Sequence, residues 1–265
     1  MSVGRWLLIA LVAVFALVGF LQLTRGTAVG HVRDVAEDAP IPVRDPRFPL
    51  SVMVLTRASL APGNRVEVML DGDGTFPCLW NDLRSAQRSI TLQLYYGGAG
   101  RMADTLASIL ADRARAGVRV LLLYDAFGAS DIPAGHLTAL RAAGVQVRAF
   151  RPIRLSTLHL AQNRAHVRGI VIDGRIGWTG GFGIDDKWYG DGRTDGAWRE
   201  TNVCFEGPAV PQHAKTFVVD PEWTTIGSMN FGNRSMALND EATLMLLERA
   251  IGRQIWGANL LTRLL

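Results

Sequence analysis

Residues 89–150 read SITLQLYYGGAGRMADTLASILADRARAGVRVLLLYDAFGASDIPAGHLTALRAAGVQVRAF, and the alternation of two hydrophobic periods along them decides the fold. SITLQLYY (89–96) is rich in β-formers and reads as a strand. From Met102 to Ala116 apolar residues recur at helical spacing, and VRVLLLY (118–124) is a continuous apolar run of the kind found in a strand covered on both sides. Residues 137–143 read as a helix ended by Gly144, and VQVRAF (145–150) as the next strand. Strands and helices in this order specify βαβ units, so the expected fold class is α/β: a mixed, mostly parallel sheet with helices on both faces.

Upstream, VEVML (66–70) alternates as a strand, DGDG (71–74) reads as a turn, and residues 76–87 read as a helix. Residues 26–64 carry Pro40, Pro42, Pro46, Pro49 and Pro62 with mixed charge and no sustained period, the composition of a linker. Before it, residues 6–23 (WLLIALVAVFALVGFLQL) are eighteen residues interrupted only by Gln22. As a helix they would run ~27 Å, close to a hydrocarbon core. The length favours an uncleaved transmembrane helix over a cleaved signal, with Arg5 and Arg25 flanking it and giving no orientation. The expected organisation is a membrane anchor at 1–25, a linker at 26–64, a first lobe at 65–207 and a shortened second lobe at 208–265.

The composition is that of a globular protein: 48% hydrophobic, 20% charged, and long enough for a sizeable core. Fibrous, disordered and disulfide-scaffold classes are excluded. Cys78 and Cys204 are far apart and lack a CxxC partner, so they read as inert buried thiols. The net charge of +4 is mild, and the cations are 26 arginines against two lysines, Lys187 and Lys215. Residues 141–175 hold seven arginines and one acid, Asp173, a local excess suited to an anionic substrate or membrane surface.

Downstream of the strand–helix region the chain repeats itself. HVRGIVIDGRIGWTGGFG (166–183) aligns without gaps on HAKTFVVDPEWTTIGSMN (213–230). Both copies run His, then a basic residue two positions on, an apolar stretch, Asp and Gly: His166, Arg168, Asp173 and Gly180 in the first, and His213, Lys215, Asp220 and Gly227 in the second. The apolar stretch reads as a buried strand with the histidine and cation at one end and the carboxylate at the other. Residues at i and i+2 of a strand project from the same side.

That pattern suits phosphodiester chemistry. Histidine supplies a nucleophile or general acid that titrates near neutral pH, and a fixed cation holds the non-bridging oxygens as charge develops. Two copies supply one histidine to attack phosphorus and another to protonate the leaving oxygen, with no metal or other cofactor needed. Two ungapped copies, in a chain of five histidines and two lysines, outweigh the reading of two core strands with incidental polar ends.

These residues resemble the paired HxKxxxxDxxxxxxGxxN motifs of the phospholipase D superfamily. The second copy matches in full through His213, Lys215, Asp220, Gly227 and Asn230. GNRVEVMLDG, ARAGVRVLLLYD, WRETNVCFEGPAV and GSMNFGNRSMALNDEA further resemble bacterial cardiolipin synthases of the phospholipase D type, over about residues 63–248. The resemblance implies a membrane-anchored phosphatidyltransferase that works through a phosphohistidine on a phospholipid such as phosphatidylglycerol, held by a single N-terminal span in the bacterial inner membrane. It implies His166 and His213 as nucleophile and acid/base, with His166 assigned as the nucleophile, Arg168 and Lys215 as phosphate clamps, and Asp173 and Asp220 as supports of their own histidines. It places Gly180, Gly227, Ser228, Asn230 and Glu241 around the phosphate.

The chain departs from the pattern in two ways. Arg168 stands where the motif has lysine and Gly183 where it has asparagine, and only 47 residues separate His166 from His213. The second lobe is therefore incomplete, and residues 214–220 are expected to pair as an added strand beside Val203 to Phe205 or to lie as an exposed edge. The two histidines converge within one chain, meet across a homodimer, or fail to form a site. The alternatives are a phosphodiesterase or nuclease of the same superfamily, which a stronger basic groove with stacking aromatics would mark, and a silent phosphate-binding membrane protein; no nucleic acid partner is expected. GGFGIDDKWYGDG (180–192) reads as a mobile active-site loop whose Asp185, Asp186, Asp191 and Asp195 fail the calcium-loop spacing and read as solvated acids. Trp178, Trp188, Trp198 and Trp223 read as buried, His31, His136 and His159 have no motif context, and residues 249–265 read as a packing helix.

Overall fold

The computed structural model describes residues 3–24, 41–56, 60–154, 164–211 and 239–241, apart from positions 43, 153 and 195. Two helices precede the folded body: α1 (Val3–Thr24) and α2 (Phe48–Thr56). The window Val3–Phe20 of α1 has a mean hydropathy of 2.3 and none of it is buried, so this helix is long and apolar enough to cross a membrane. Helix α2 interrupts the stretch read as linker. Asp45 starts it by accepting the Arg47 N–H on its side chain and the Phe48 N–H on its carbonyl.

The body runs β1 (Arg65–Leu70), α3 (Asp71–Ser85), β2 (Ser89–Leu94), α4 (Arg101–Arg115), β3 (Arg119–Asp125), α5 (Ala134–Ala142), β4 (Gln146–Phe150), β5 (Arg164–His166), β6 (Gly169–Ile172), β7 (Ile176–Gly180), a 3-10 turn (Asp186–Trp188), β8 (Thr201–Glu206) and β9 (Asn239–Glu241). Seven strands form one sheet in the order β1-β8-β7-β6-β2-β3-β4, and β5 pairs with β9 in a separate ribbon. The large sheet is mixed. Strands β6 and β8 run against the other five, and side-by-side parallel pairing is confined to β2–β3–β4. There the chain returns through α4 and α5, whereas β6 and β7 are joined by a tight turn that can only make an antiparallel pair.

Helix α3 buries Phe76, Leu79, Trp80 and Leu83, and α4 buries Met102, Leu106, Ile109 and Leu110, each a stripe at helical spacing. Both stripes pack with Leu140 of α5 on Ile90, Leu92 and Leu94, the alternate residues of β2, and on Val120, Leu122, Ile170 and Ile172. Among the described residues, the three helices α3, α4 and α5 therefore share one face. The β2-α4-β3 and β3-α5-β4 crossovers step in the same direction, so right-handedness puts their helices on the same side. On the opposite face Leu123, Phe150 and Ala165 form one small cluster and Val171, Phe205 and Val210 another.

Two local expectations change. DGDG is the first turn of α3 rather than a separate turn. Gly72 belongs there because a Cβ would run into the Trp188 carbonyl and the Gly190 backbone. Strand β8 is flanked by β1 and β7, so both its edges are occupied and no further strand can pair beside Val203 to Phe205. The loop closing α5 holds: Gly144 adopts φ +96 just past the cap, a conformation that costs other residues a steric clash. Residues 214–220 and 249–265 lie outside the described residues.

Candidate active site

The first repeat does not form one continuous strand. β5 ends at His166 in the small ribbon, and β6 begins at Gly169 in the large sheet between β7 and β2. His166 and Arg168 occupy the break between the two. They are 7% and 8% exposed, and the Arg168 Nη2 lies 3.1 Å from the His166 Nε2. The Tyr95 ring, one residue past β2, meets the His166 ring edge-on at 4.2 Å and lies 5.6 Å from the Arg168 guanidinium carbon. Thr179 donates its hydroxyl to the Arg168 carbonyl at 2.9 Å and fixes that turn of backbone on β7.

A buried carboxylate ties β5 to the sheet. Asp125 ends the apolar strand β3 and is 1% exposed. Its Oδ1 accepts the N–H groups of Phe127 and Gly128, its Oδ2 accepts the Ala165 N–H at 3.0 Å, and the Arg164 guanidinium stands 3.5 Å away. Arg164 also donates to the Arg151 carbonyl. A buried charge is tolerated only when paired and hydrogen-bonded in this way, and the arrangement locks the residue next to His166.

The contact between His166 and Arg168 defines the imidazole. A guanidinium is always protonated and has no acceptor, so Arg168 is the donor and Nε2 presents its lone pair. The neutral ring then carries its proton on Nδ1. A lone pair on Nε2 beside a guanidinium suits in-line attack on a phosphodiester, because the same cation can offer its other N–H groups to a non-bridging oxygen.

Glu200 is a half-buried carboxylate just before β8, beside Gly181. Burial pushes its carboxyl above the usual range, against the lowering effects of the Thr201 N–H and of the Arg168 charge. Gly181 makes room for it, since a Cβ there would collide with the Glu200 carboxylate. Gly180 makes the same kind of space for the Asn202 side chain, which donates to Thr75 and accepts from the Phe182 N–H. The described structure thus gives Gly180 a packing role beside the expected place near the phosphate.

Asp173 does not support His166. It sits in the β6–β7 turn, at the other end of the strand, and accepts the N–H groups of Gln87, Arg88 and Ser89 at 2.8–2.9 Å. Burial pushes its carboxyl up, but the N–H groups of Ser89, Gln87 and Arg88 and the Arg88 charge outweigh that and hold it below the ordinary value. The i to i+7 spacing within an extended segment puts the two groups a strand length apart.

Residues 180–192, expected as a mobile loop, are anchored at several points. Asp186 accepts the N–H groups of Arg101 and Met102 at the start of α4, and Asp185 caps the 3-10 turn by accepting from Lys187. These two acids are caps rather than solvated charges. The Lys187 ammonium lies 3.8, 4.2 and 4.9 Å from the ring centres of Tyr96, Trp198 and Trp188 and donates to the Tyr96 hydroxyl at 2.5 Å. Gly183, where the motif has asparagine, faces the Trp188 ring: a Cβ would stand 2.6 Å from it. The tryptophan occupies the space an asparagine side chain would need. Trp178 and Trp188 are buried as expected, but Trp198 is half exposed.

Among the candidates, the structure brings together His166 and Arg168, and its β5–β9 register sets the Glu241 backbone opposite His166. His213, Lys215, Asp220, Gly227, Ser228 and Asn230 lie outside the described residues. Tyr95, Asp125, Arg164 and Glu200 were not singled out by the motif. A carboxylate closing the apolar run VRVLLLYD was the one sequence sign for Asp125; Glu200 has only its place in WRET. Cys78 is exposed, which corrects the expectation of a buried thiol, whereas burial pushes the Cys204 thiol up to about 12. Among the described residues no three His, Cys, Asp or Glu side chains gather as a metal site.

The family described as "Cardiolipin synthase, PLD-like domain" matches residues 79–210 and again 193–257, the second match containing the second repeat copy. The chain is 35% identical over 158 residues to a cardiolipin synthase of Geobacillus kaustophilus, covering 59% of this chain and 32% of the relative. It is 32% identical over 171 residues to cardiolipin synthase A of Pseudomonas fluorescens, covering 64% and 36%. The matches thus span about a third of the length of these curated relatives. Among solved structures, the phospholipase D family member Nuc from Salmonella typhimurium aligns with a TM-score of 0.43 at 18% identity, over 59% of this chain and 90% of that one. With both matches together covering more than half of its residues, the chain belongs to the cardiolipin synthase, PLD-like domain family of the phospholipase D superfamily.

Proposed function

We propose that the chain is a membrane-anchored phosphatidyltransferase that moves the phosphatidyl group of a phospholipid such as phosphatidylglycerol to an alcohol or to water through a phosphohistidine. The observation that carries the reading is the buried pair His166 and Arg168, with the Nε2 lone pair facing a guanidinium 3.1 Å away. In the first step His166 Nε2 attacks phosphorus, a P–N bond forms, and the P–O bond to the leaving glycerol breaks as His213 gives that oxygen its proton. In the second, the acceptor hydroxyl passes its proton to His213 and its oxygen attacks phosphorus, which breaks the P–N bond and frees His166. Arg168 and Lys215 hold the non-bridging oxygens.

The apolar helix α1 supports a single N-terminal span in the inner membrane, with the site presented to lipid. The repeat of His213, Lys215 and Asp220 supplies the second half, from the same chain or from a second copy. The test is to mix purified full-length protein with phosphatidylglycerol vesicles and follow the lipids by mass spectrometry. Cardiolipin or phosphatidic acid is expected, and it should vanish in both His166→Ala and His213→Ala. Folded protein that yields neither product overturns the reading.

A further inference from the structure

Asp71 stands outside both repeat copies, yet its backbone is one of three non-glycine residues with positive φ among those described. At φ 53 it occupies the left-handed region, which other side chains avoid and Asp and Asn enter most readily. It directly follows Leu70, whose partner Thr201 closes the β1–β8 register. Asp71 continues that pairing by one residue in an unusual way. Its N–H donates to the Glu200 carbonyl at 2.8 Å, and the Glu200 N–H donates to its side-chain Oδ1 at 3.0 Å. The left-handed turn carries the Asp71 carbonyl into α3, and the carboxylate replaces it as the acceptor.

The same Oδ1 lies 3.7 Å from the Arg199 Nε, and Gly192 closes over it, with room for no more than hydrogen at its Cα. Glu200 is therefore gripped through its own N–H and C=O from one side. From the other, its carboxylate is bounded by Gly181 and the Thr201 N–H. We infer that Asp71 is a positioning residue: its side chain, acting as a substitute strand carbonyl, sets the backbone of Glu200 and so the place of its carboxylate against Gly181, next to the end of β7 that holds the Arg168 backbone. This rests on the phosphate-transfer reading for its consequence in turnover, but its geometric content can be read without turnover.

Three substitutions in the full-length protein separate the roles. Asp71→Asn keeps the Oδ1 acceptor and tolerates the left-handed backbone. Asp71→Gly removes the acceptor and tolerates that backbone fully. Glu200→Gln removes the charge being positioned. The expected result is kcat/KM within about twofold of the parent for Asp71→Asn and a fall of about tenfold for Asp71→Gly, with the Tm of Asp71→Gly within about 3 °C of the parent. Asp71→Gly combined with Glu200→Gln should be no slower than Glu200→Gln alone, since both act through one group. Arg168 gives a readout independent of activity: its side-chain N–H resonance, identified by its loss in Arg168→Lys, should shift in Asp71→Gly and stay in place in Asp71→Asn. If the parent turns over no lipid, the function proposal fails while the resonance still decides the role of Asp71. An unshifted Arg168 resonance in Asp71→Gly, parental kcat/KM in that variant, or additive losses in the double variant would overturn the inference.

Discussion

Asp173 provides the sharpest separation between the motif and the structure. Its carboxylate accepts three backbone N–H groups, from Gln87 and Arg88 on the exposed loop and from Ser89 at the start of β2. A hydrogen bond to a charged acceptor contributes about 1.5–3 kcal/mol when buried and nearer 1 kcal/mol at a half-exposed site, so the set amounts to about 3 kcal/mol. Asp173→Ala loses all three and must hold φ 55 without a polar side chain. Asp173→Asn keeps the oxygen that accepts from Arg88 and Ser89 but turns an amide against the Gln87 N–H, for a loss of about 1–2 kcal/mol. At about 2–4 °C per kcal/mol for a body of this size, Tm should fall by about 6–12 °C in Asp173→Ala and by about half that in Asp173→Asn. Because the folded carboxyl lies below its ordinary value, this stabilisation is full above the unfolded value near ~3.9 and disappears as pH falls through the folded one. The parent and Asp173→Asn should therefore converge in acid. The assay is thermal unfolding followed by circular dichroism at several pH values, alongside turnover of phosphatidylglycerol below both melting points. Parental kcat with lowered Tm is expected. A parental Tm with abolished turnover would refute the reasoning and return Asp173 to the support of His166.

Mixing inactive His166→Ala with inactive His213→Ala in the same vesicles should restore roughly a quarter of parental turnover if the two histidines come from different chains and none if they come from one; product analysis by mass spectrometry decides. Glu200→Gln should raise Tm at pH 7 by about 1–3 °C, because burial disfavours the charged carboxyl, and lower kcat at the same time. Here the folded value is raised, so that stability gap should close as pH falls below it, seen by calorimetry across pH. Lys187→Met keeps the stem but loses the cation that lies among Tyr96, Trp188 and Trp198, which should cost about 1–3 kcal/mol, measured by urea unfolding.

Much of the body was legible in the chain because its signals are local. The period of residues 89–150 shows three strands and two helices to within a few residues of where they lie, since burial of a stripe or an alternate face needs only the sequence of that element. The apolar length of α1 was equally plain. The repeat picked out His166 and Arg168 as neighbours because i and i+2 share a side. It misread Asp173, because a spacing of seven residues says nothing about which distant N–H groups a turn will meet.

What the sequence determined by itself was the chemistry on offer: two copies of histidine, cation and carboxylate, strands and helices in βαβ order, and an apolar segment of membrane-spanning length. The tertiary structure decided how those groups are used. It broke the motif between two sheets, so that His166 and Arg168 meet where Asp125 and Tyr95 hold them, and it put α4 and α5 on one face, beside α3, through crossovers of one hand. It also brought Glu200 and Asp71 together across 129 residues of chain, and gave Gly183 its reason in the ring of Trp188. Those are contacts between segments far apart in sequence, whose energies depend on which surfaces the packed sheet brings face to face, and no local pattern encodes them.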